Sequence, residues 1–171
     1  MAAAAQKTPP GENLTPLLAK SSCYCLNELP SKPWTNLITG DRSTPGCTSD
    51  ADEQLLLHLA LNQTVKLTAL TIGLPKDSPD SCPRTVRLFA NCESLGFTDA
   101  AERPATQEFT ITDPSQEEFV FVLAAVKWQR CDSISIFVVD NHGDDATALQ
   151  TISVYGTTIS GTNVAAIKKG G

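Results

Sequence analysis

No run in this 171-residue chain approaches the eighteen or so consecutive apolar residues of a membrane-spanning helix, and the start MAAAAQKTPPGEN lacks the apolar stretch of a secretory signal. A membrane partner is therefore not expected, and the expected location is cytoplasmic, extending to the nucleus. Catalytic signatures are missing too. There is no phosphate loop, no Gly-x-Gly-x-x-Gly turn, no HExxH helix and no Gly-x-Ser-x-Gly elbow, so nucleotide-dependent and common hydrolytic chemistries lose their usual carriers. Histidine is scarce. His58 lies inside a leucine run and reads as a structural residue, and His142 lies in the polar turn DNHGDD, whose spacing does not match a calcium loop. No catalytic residue, cofactor or metal is assigned.

Six cysteines, at 23, 25, 47, 82, 92 and 131, include no Cys-x-x-Cys pair. At this length, and in a reducing compartment, structural free thiols are the simplest account. The closest approach is Cys23-Tyr24-Cys25, a candidate thiol pair that keeps a redox reading open. Cys47 could join it around zinc, but a closed tetrahedral site needs four convergent ligands that the linear pattern does not supply. The sequons at Asn13 and Asn62 read as chance matches in an intracellular chain.

Acids outnumber bases, giving a formal net charge of −6, which opposes a general affinity for phosphate backbones and argues against nucleic acid. The excess is not evenly spread. Residues 93–118 hold seven acids, Glu93, Asp99, Glu102, Glu108, Asp113, Glu117 and Glu118, with Arg103 as the one basic residue. A hydrated face is the plain reading. The functional one is an acidic edge toward a basic protein partner, with Glu102 and Glu108 as candidate contacts. Trp34, anchoring a loop rich in proline and glycine, and the Lys127-Trp128-Arg130 cluster are further candidates for protein binding.

Period-two alternation dominates the rest. Gln54–Leu61 places Leu55, Leu57, Leu59 and Leu61 on one face, and after a turn at Asn62-Gln63 the run VKLTALTIGL places Val65, Leu67 and Ala69 together. The two runs pair as a hairpin, with an insertion between sheets as the alternative. RTVRLFAN, TQEFTI, EFVFV, DSISIFVVD and LQTISVYG supply further strands, with Ser133/Ser135 and Thr151/Ser153 nearer solvent. Residues 14–29 form a short helix or an irregular cover. All eleven prolines lie at or before position 114, leaving the later chain suited to central strands. Without long amphipathic helices between strands, the expected fold is all-β, a jelly-roll-like antiparallel β-sandwich over residues 14–167, between a flexible leader (1–13) and a flexible tail (168–171).

Five blocks in order, CYCLNE (23–28), DEQLLLHLALNQTVKLTALTI (52–72), AERPATQEFTI (101–111), KWQRCDSISIFVVDN (127–141) and ISVYGTTISGTN (152–163), resemble the PITH domain, the proteasome-interacting C-terminal domain of a thioredoxin-like protein. The matching positions include Cys23, Cys25, Asn27, Glu28, Asp52, Glu53, Gln54, Asn62, Phe137 and Asn141. The resemblance implies a jelly-roll sandwich, a stand-alone member without a thioredoxin module, and a noncatalytic adaptor role with the 26S proteasome regulatory particle as partner. It assigns no catalytic residue and no oligomeric state. A pocket for a small ligand or carbohydrate, and a thiol enzyme using Cys23 and Cys25, are the two other classes.

Overall fold

The computed structural model describes residues 8–159. Its strands are β1 (Glu12–Asn13), β2 (Tyr24–Leu26), β3 (Cys47–Thr48), β4 (Leu55–Gly73), β5 (Thr85–Ala90), β6 (Gln107–Thr110), β7 (Glu118–Val122), β8 (Cys131–Val138), β9 (Ala148–Leu149) and β10 (Thr151–Thr158), with one short helix, α1 (Phe97–Glu102). Every pairing is antiparallel. The expected tail (168–171) lies outside the described residues. Glu12 and Asn13, which the sequence reading places in the leader, pair with Gly156 and Tyr155 as an edge strand.

The expected sandwich is present, and β4 makes it. No turn forms at Asn62-Gln63. Instead a single 19-residue strand serves both sheets. Its first half pairs with β2 on one side and β8 on the other, and β5 and β6 extend that layer. Its second half pairs with β10 and β7, and β1 completes the second layer. The hairpin reading is thus corrected: one strand that changes sheets at an irregularity makes the corner. The register between β4 and β8 shifts between Ala60 and Val65, across the residues read as a turn.

A second irregularity corrects the face assignment. Leu55, Leu57, Leu59, Leu61, Val65 and Leu67 face the core in strict alternation, yet beyond them the core residues are Leu70, Ile72 and Leu74. Between Tyr155 and Gly156 the β10 register skips Thr68, so β4 carries one extra residue there. One inserted residue flips every later side chain, which is why Leu70 rather than Ala69 belongs to the main cluster.

The outer face of the first layer is covered as well. Leu56, Phe89, Leu95, Ala100 and Phe137 form a separate cluster, capped by the segment from Cys92 through α1. This cover buries Ser133 and Ser135, which alternation alone assigns to solvent, and Thr151 is buried too. Residues 14–29 are irregular, with two short 3-10 turns before β2. The proline-rich loop after them is ordered around a 3-10 turn, Trp34–Ile38, with Trp34 and Leu37 buried.

His58 is structural, as its setting in the leucine run suggests. It is 5% exposed, stacks on Tyr24 at a ring-centroid distance of 5.0 Å, and its Nδ1 lies 2.9 Å from Ser135 Oγ. The Ser135 hydroxyl donates to the Cys92 carbonyl, so its oxygen is left to accept and Nδ1 is the donor to it. Burial holds its pKa below the usual 6.5, opposed in part by the Glu93 carboxylate. The unfolded chain therefore takes up a proton that the native state resists, and stability falls as pH drops below about 6.5 toward the lower native value. The thermal midpoint is expected to decline between pH 7 and 5, with His58→Gln flattening that decline. Asp113, Asp140 and Asp144, held below the carboxylate range by hydrogen bonds from Ser115, Arg84 and Ser81, lose their contribution only in a more acidic window. A slope unchanged in His58→Gln would refute the assignment.

Candidate functional site

At one end of the sandwich, side chains tie the loops together. Asn27 adopts a left-handed backbone with φ of 72°, which asparagine tolerates better than most residues. Its Nδ2 donates to Asp52 Oδ1 (3.0 Å) and to the Gln54 carbonyl (2.7 Å), while its Oδ1 accepts from Ala51 N–H (3.0 Å). Gln54 in turn donates to the Val139 carbonyl. Asn141 works alike in the turn after β8, accepting from Gly143 and Asp144 N–H and donating to the Ala146 carbonyl and Thr147 Oγ1. His142 Nε2 lies 2.8 Å from the Ile111 carbonyl, a tie within the fold. Much of the CLNE, DEQ and VVDN motif material is loop scaffolding.

Between these ties lies an open groove of about 600 Å³, lined by Asp52, Glu53, Asp140, Asn141, Asp144 and Asp145 among others. Its lining is acidic and contains no aromatic side chain. With no tyrosine, tryptophan or phenylalanine lining it among the described residues, this groove offers no aromatic face to a sugar.

The thiols partner differently from the sequence reading. Cys23 Sγ accepts from Ala60 N–H (3.2 Å) and lies 3.3 Å from the Ala19 carbonyl, pinning the chain before β2 to β4. Cys25 meets Cys47, not Cys23: Cys25 Sγ, Cys47 Sγ and a Glu28 carboxylate oxygen lie within 4.8 Å of one another. Twenty-one intervening residues hid that neighbour from linear spacing. A hydrogen bond with Cys47, together with burial, pushes the Cys25 thiol up, and burial raises Cys23. Burial likewise pushes Cys131 up to about 11 and Cys82 up to about 12. A reactive thiol needs a depressed pKa, so the environment of the Cys23 and Cys25 pair opposes a thiolate nucleophile. All six cysteines are free.

The acidic stretch runs from the segment that covers the first layer's outer face, through β6, to the start of β7. Glu93, Asp99, Glu102, Glu108, Asp113, Glu117 and Glu118 are all exposed, and β6, in the middle of the stretch, is the last strand of its layer. Two of the seven are partly neutralised. Arg87 pairs with Glu108 at 3.1 Å, and Arg42 and Lys76 approach Glu117 at 3.8 Å. Beside the start of β6 stand Val122 and Val126, 44% and 79% exposed. Gln107 fixes that neighbourhood, bonding to the Val122 carbonyl and to Ala124 N–H.

The aromatic candidates for binding are corrected. Trp128 is fully buried and Trp34 is 7% exposed, because the core takes their large apolar rings. Glu102, Glu108 and Arg130 remain at the surface, Arg130 in a separate groove with Lys66 and Thr157. The exposed valines were missed: Val122 ends the EFVFV strand run and Val126 sits inside AAVKW, and both read equally well as core.

The fold and this surface define an antiparallel jelly-roll β-sandwich domain without a recognisable catalytic constellation among its described residues. The family model of the PITH domain matches residues 4–170, and the chain belongs to that family. It is 31% identical over 139 residues to PITH domain-containing protein 1 of Homo sapiens, covering 77% of this chain and 63% of the relative. It is also 28% identical over 125 residues to Thioredoxin-like protein 1 of Schizosaccharomyces pombe, covering 71% of this chain and 43% of that protein. The matched stretch spans about half the length of these curated relatives. Among solved structures, the family 32 CBM from C. perfringens NanJ in complex with galactose superposes with a TM-score of 0.66 at 11% identity, covering 84% of this chain and 98% of that one. An f-lectin from striped bass gives 0.64 at 15% identity, covering 88% and 49%. At such identities the likeness is one of fold alone. No helix among the described residues is long and apolar enough to cross a membrane.

Proposed function

We propose that this domain is a noncatalytic protein-interaction module that presents the β6 edge to a basic partner surface, with the proteasome regulatory particle as the partner that family membership suggests. The observation that carries the reading is the exposure of all seven acids of one stretch, with two exposed valines near its central strand. Acidic side chains would steer encounter with a basic face, and the valines would supply the small apolar centre that a docking surface needs. Six free thiols suit work in the cytosol and nucleus, where disulfides are rare. The carbohydrate-binding reading rests on fold likeness alone.

Glu102→Lys is the cleaner charge reversal. Glu108→Lys also sets a second cation against Arg87 and costs some native stability. The double variant is expected to weaken capture of regulatory-particle subunits from a cytosolic extract by roughly tenfold at low salt, mainly through slower association, and to flatten the salt dependence. Equal capture by the intact domain and the folded double variant at every salt concentration would remove the acidic edge from the mechanism. No enrichment of those subunits by the intact domain would remove the partner.

A further inference from the structure

We propose that Cys25, Glu28 and Cys47 form a binding site for a soft divalent cation of the zinc type. The proposal is independent of the docking edge, on geometry and chemistry of its own. Three donors from β2, the residues just after it and β3 converge with their ligand atoms within 4.8 Å of one another. Sulfurs bound tetrahedrally at about 2.3 Å from one ion lie about 3.8 Å apart, so small side-chain rotations bring the set to ligand geometry. Two thiolates favour zinc-like ions over magnesium or calcium.

The surroundings support the carboxylate as a ligand. Trp34 N–H donates to Glu28 Oε1 at 2.7 Å, fixing the group as an outer-shell hydrogen bond fixes a metal ligand. None of the ion pairs among the described residues uses Glu28, so its charge faces two thiols without a cationic side chain in contact. Cys47 is buried, whereas Cys25 and Glu28 are only half-buried, which leaves a path for the ion and for a water as fourth ligand. Binding transfers the two thiol protons to solvent and forms two metal–sulfur bonds and one metal–oxygen bond. The ion would cross-link β2 to the far end of the tryptophan loop, whose base is already closed by the Glu28–Ser49 bridge and by Leu29 N–H on the Thr48 carbonyl.

The test is a titration of the reduced, metal-free full chain with Co²⁺, followed by displacement with Zn²⁺. One ion per chain, a thiolate-to-cobalt charge-transfer band, release of two protons per ion and a raised melting temperature are expected. The band should disappear in Cys25→Ser and Cys47→Ser and persist in Cys82→Ser and Cys131→Ser. Glu28→Gln, which keeps an acceptor for Trp34 N–H, should weaken binding at least about tenfold. Because Cys47 is buried, the half-buried Cys25→Ser, checked for a native far-ultraviolet spectrum, is the deciding variant. A band that survives in Cys25→Ser overturns the site. So does a reduced chain that takes up no ion and merely forms a Cys25–Cys47 disulfide in air.

Discussion

Trp128→Ala should destabilise the domain by about 3–5 kcal/mol, the range for emptying a buried large aromatic site. Trp128 is fully buried at the end of a short 3-10 turn, where it joins three parts of the fold. Its indole Nε1–H donates to Gln107 Oε1 at 2.9 Å on β6, and its backbone carbonyl accepts Leu67 N–H at 2.9 Å from β4. Gln107 Oε1 also accepts Ala124 N–H, so the amide clasps the connection between β7 and β8. Removing the indole leaves a cavity and takes one of two donors from that oxygen. Trp128→Phe keeps one ring in the site but loses part of the volume and the N–H, so it should cost about half as much. For a chain of this size the alanine variant should melt roughly 6–20 °C lower. Urea unfolding with an unchanged slope and a lowered midpoint is the measurement. A loss below about 1 kcal/mol would mean that the core closes over the site.

Gly156→Ala is the second large effect, and it arises from backbone rather than burial of a side chain. Gly156 lies where β10 skips past Thr68 of β4, and a Cβ there would overlap the Lys66 carbonyl oxygen. A backbone carbonyl in a ladder cannot rotate aside as a long side chain can. Relief requires β10 to move away from β4, which also disturbs the pairing of Gly156 with Glu12. A cost of about 1–3 kcal/mol is expected from overpacking, with Gly156→Val costing more. The loss should be local, so amide exchange should accelerate in β1 and the end of β10 before the first layer responds. Uniform exchange across both layers, or an unchanged melting temperature, would contradict this account of the bulge.

Legibility in the sequence followed the range of the interactions. Leu55, Leu57, Leu59 and Leu61 announce their face because alternation is a local property of a strand. Leu70 does not, because the bulge at Thr68 is set by how β10 pairs with β4, across a long separation in sequence. The turn read at Asn62-Gln63 failed for a related reason: two polar residues mark a hairpin or a sheet-to-sheet crossing equally well, and the partners of each half decide. Ser135 reads as solvent-facing by alternation, yet the segment leading into α1 covers it and supplies the Cys92 carbonyl for its hydroxyl. Of the binding candidates, the acids are exposed as their charge requires, while both tryptophans are drawn into the core.

By itself, then, the sequence determined the all-β class, the family, the separation of acid from base along the chain and the placement of proline before the later strands. Those are properties of composition and short period, which survive without knowledge of what touches what. The tertiary structure alone decided that β4 belongs to both layers, that Glu108 sits on the edge strand β6 with Val122 and Val126 nearby, and that Cys25 meets Cys47 and Glu28 instead of acting with Cys23. Each of these depends on contacts between distant segments, and the hydrophobic burial that brings distant segments together is non-directional, so no local pattern records its outcome.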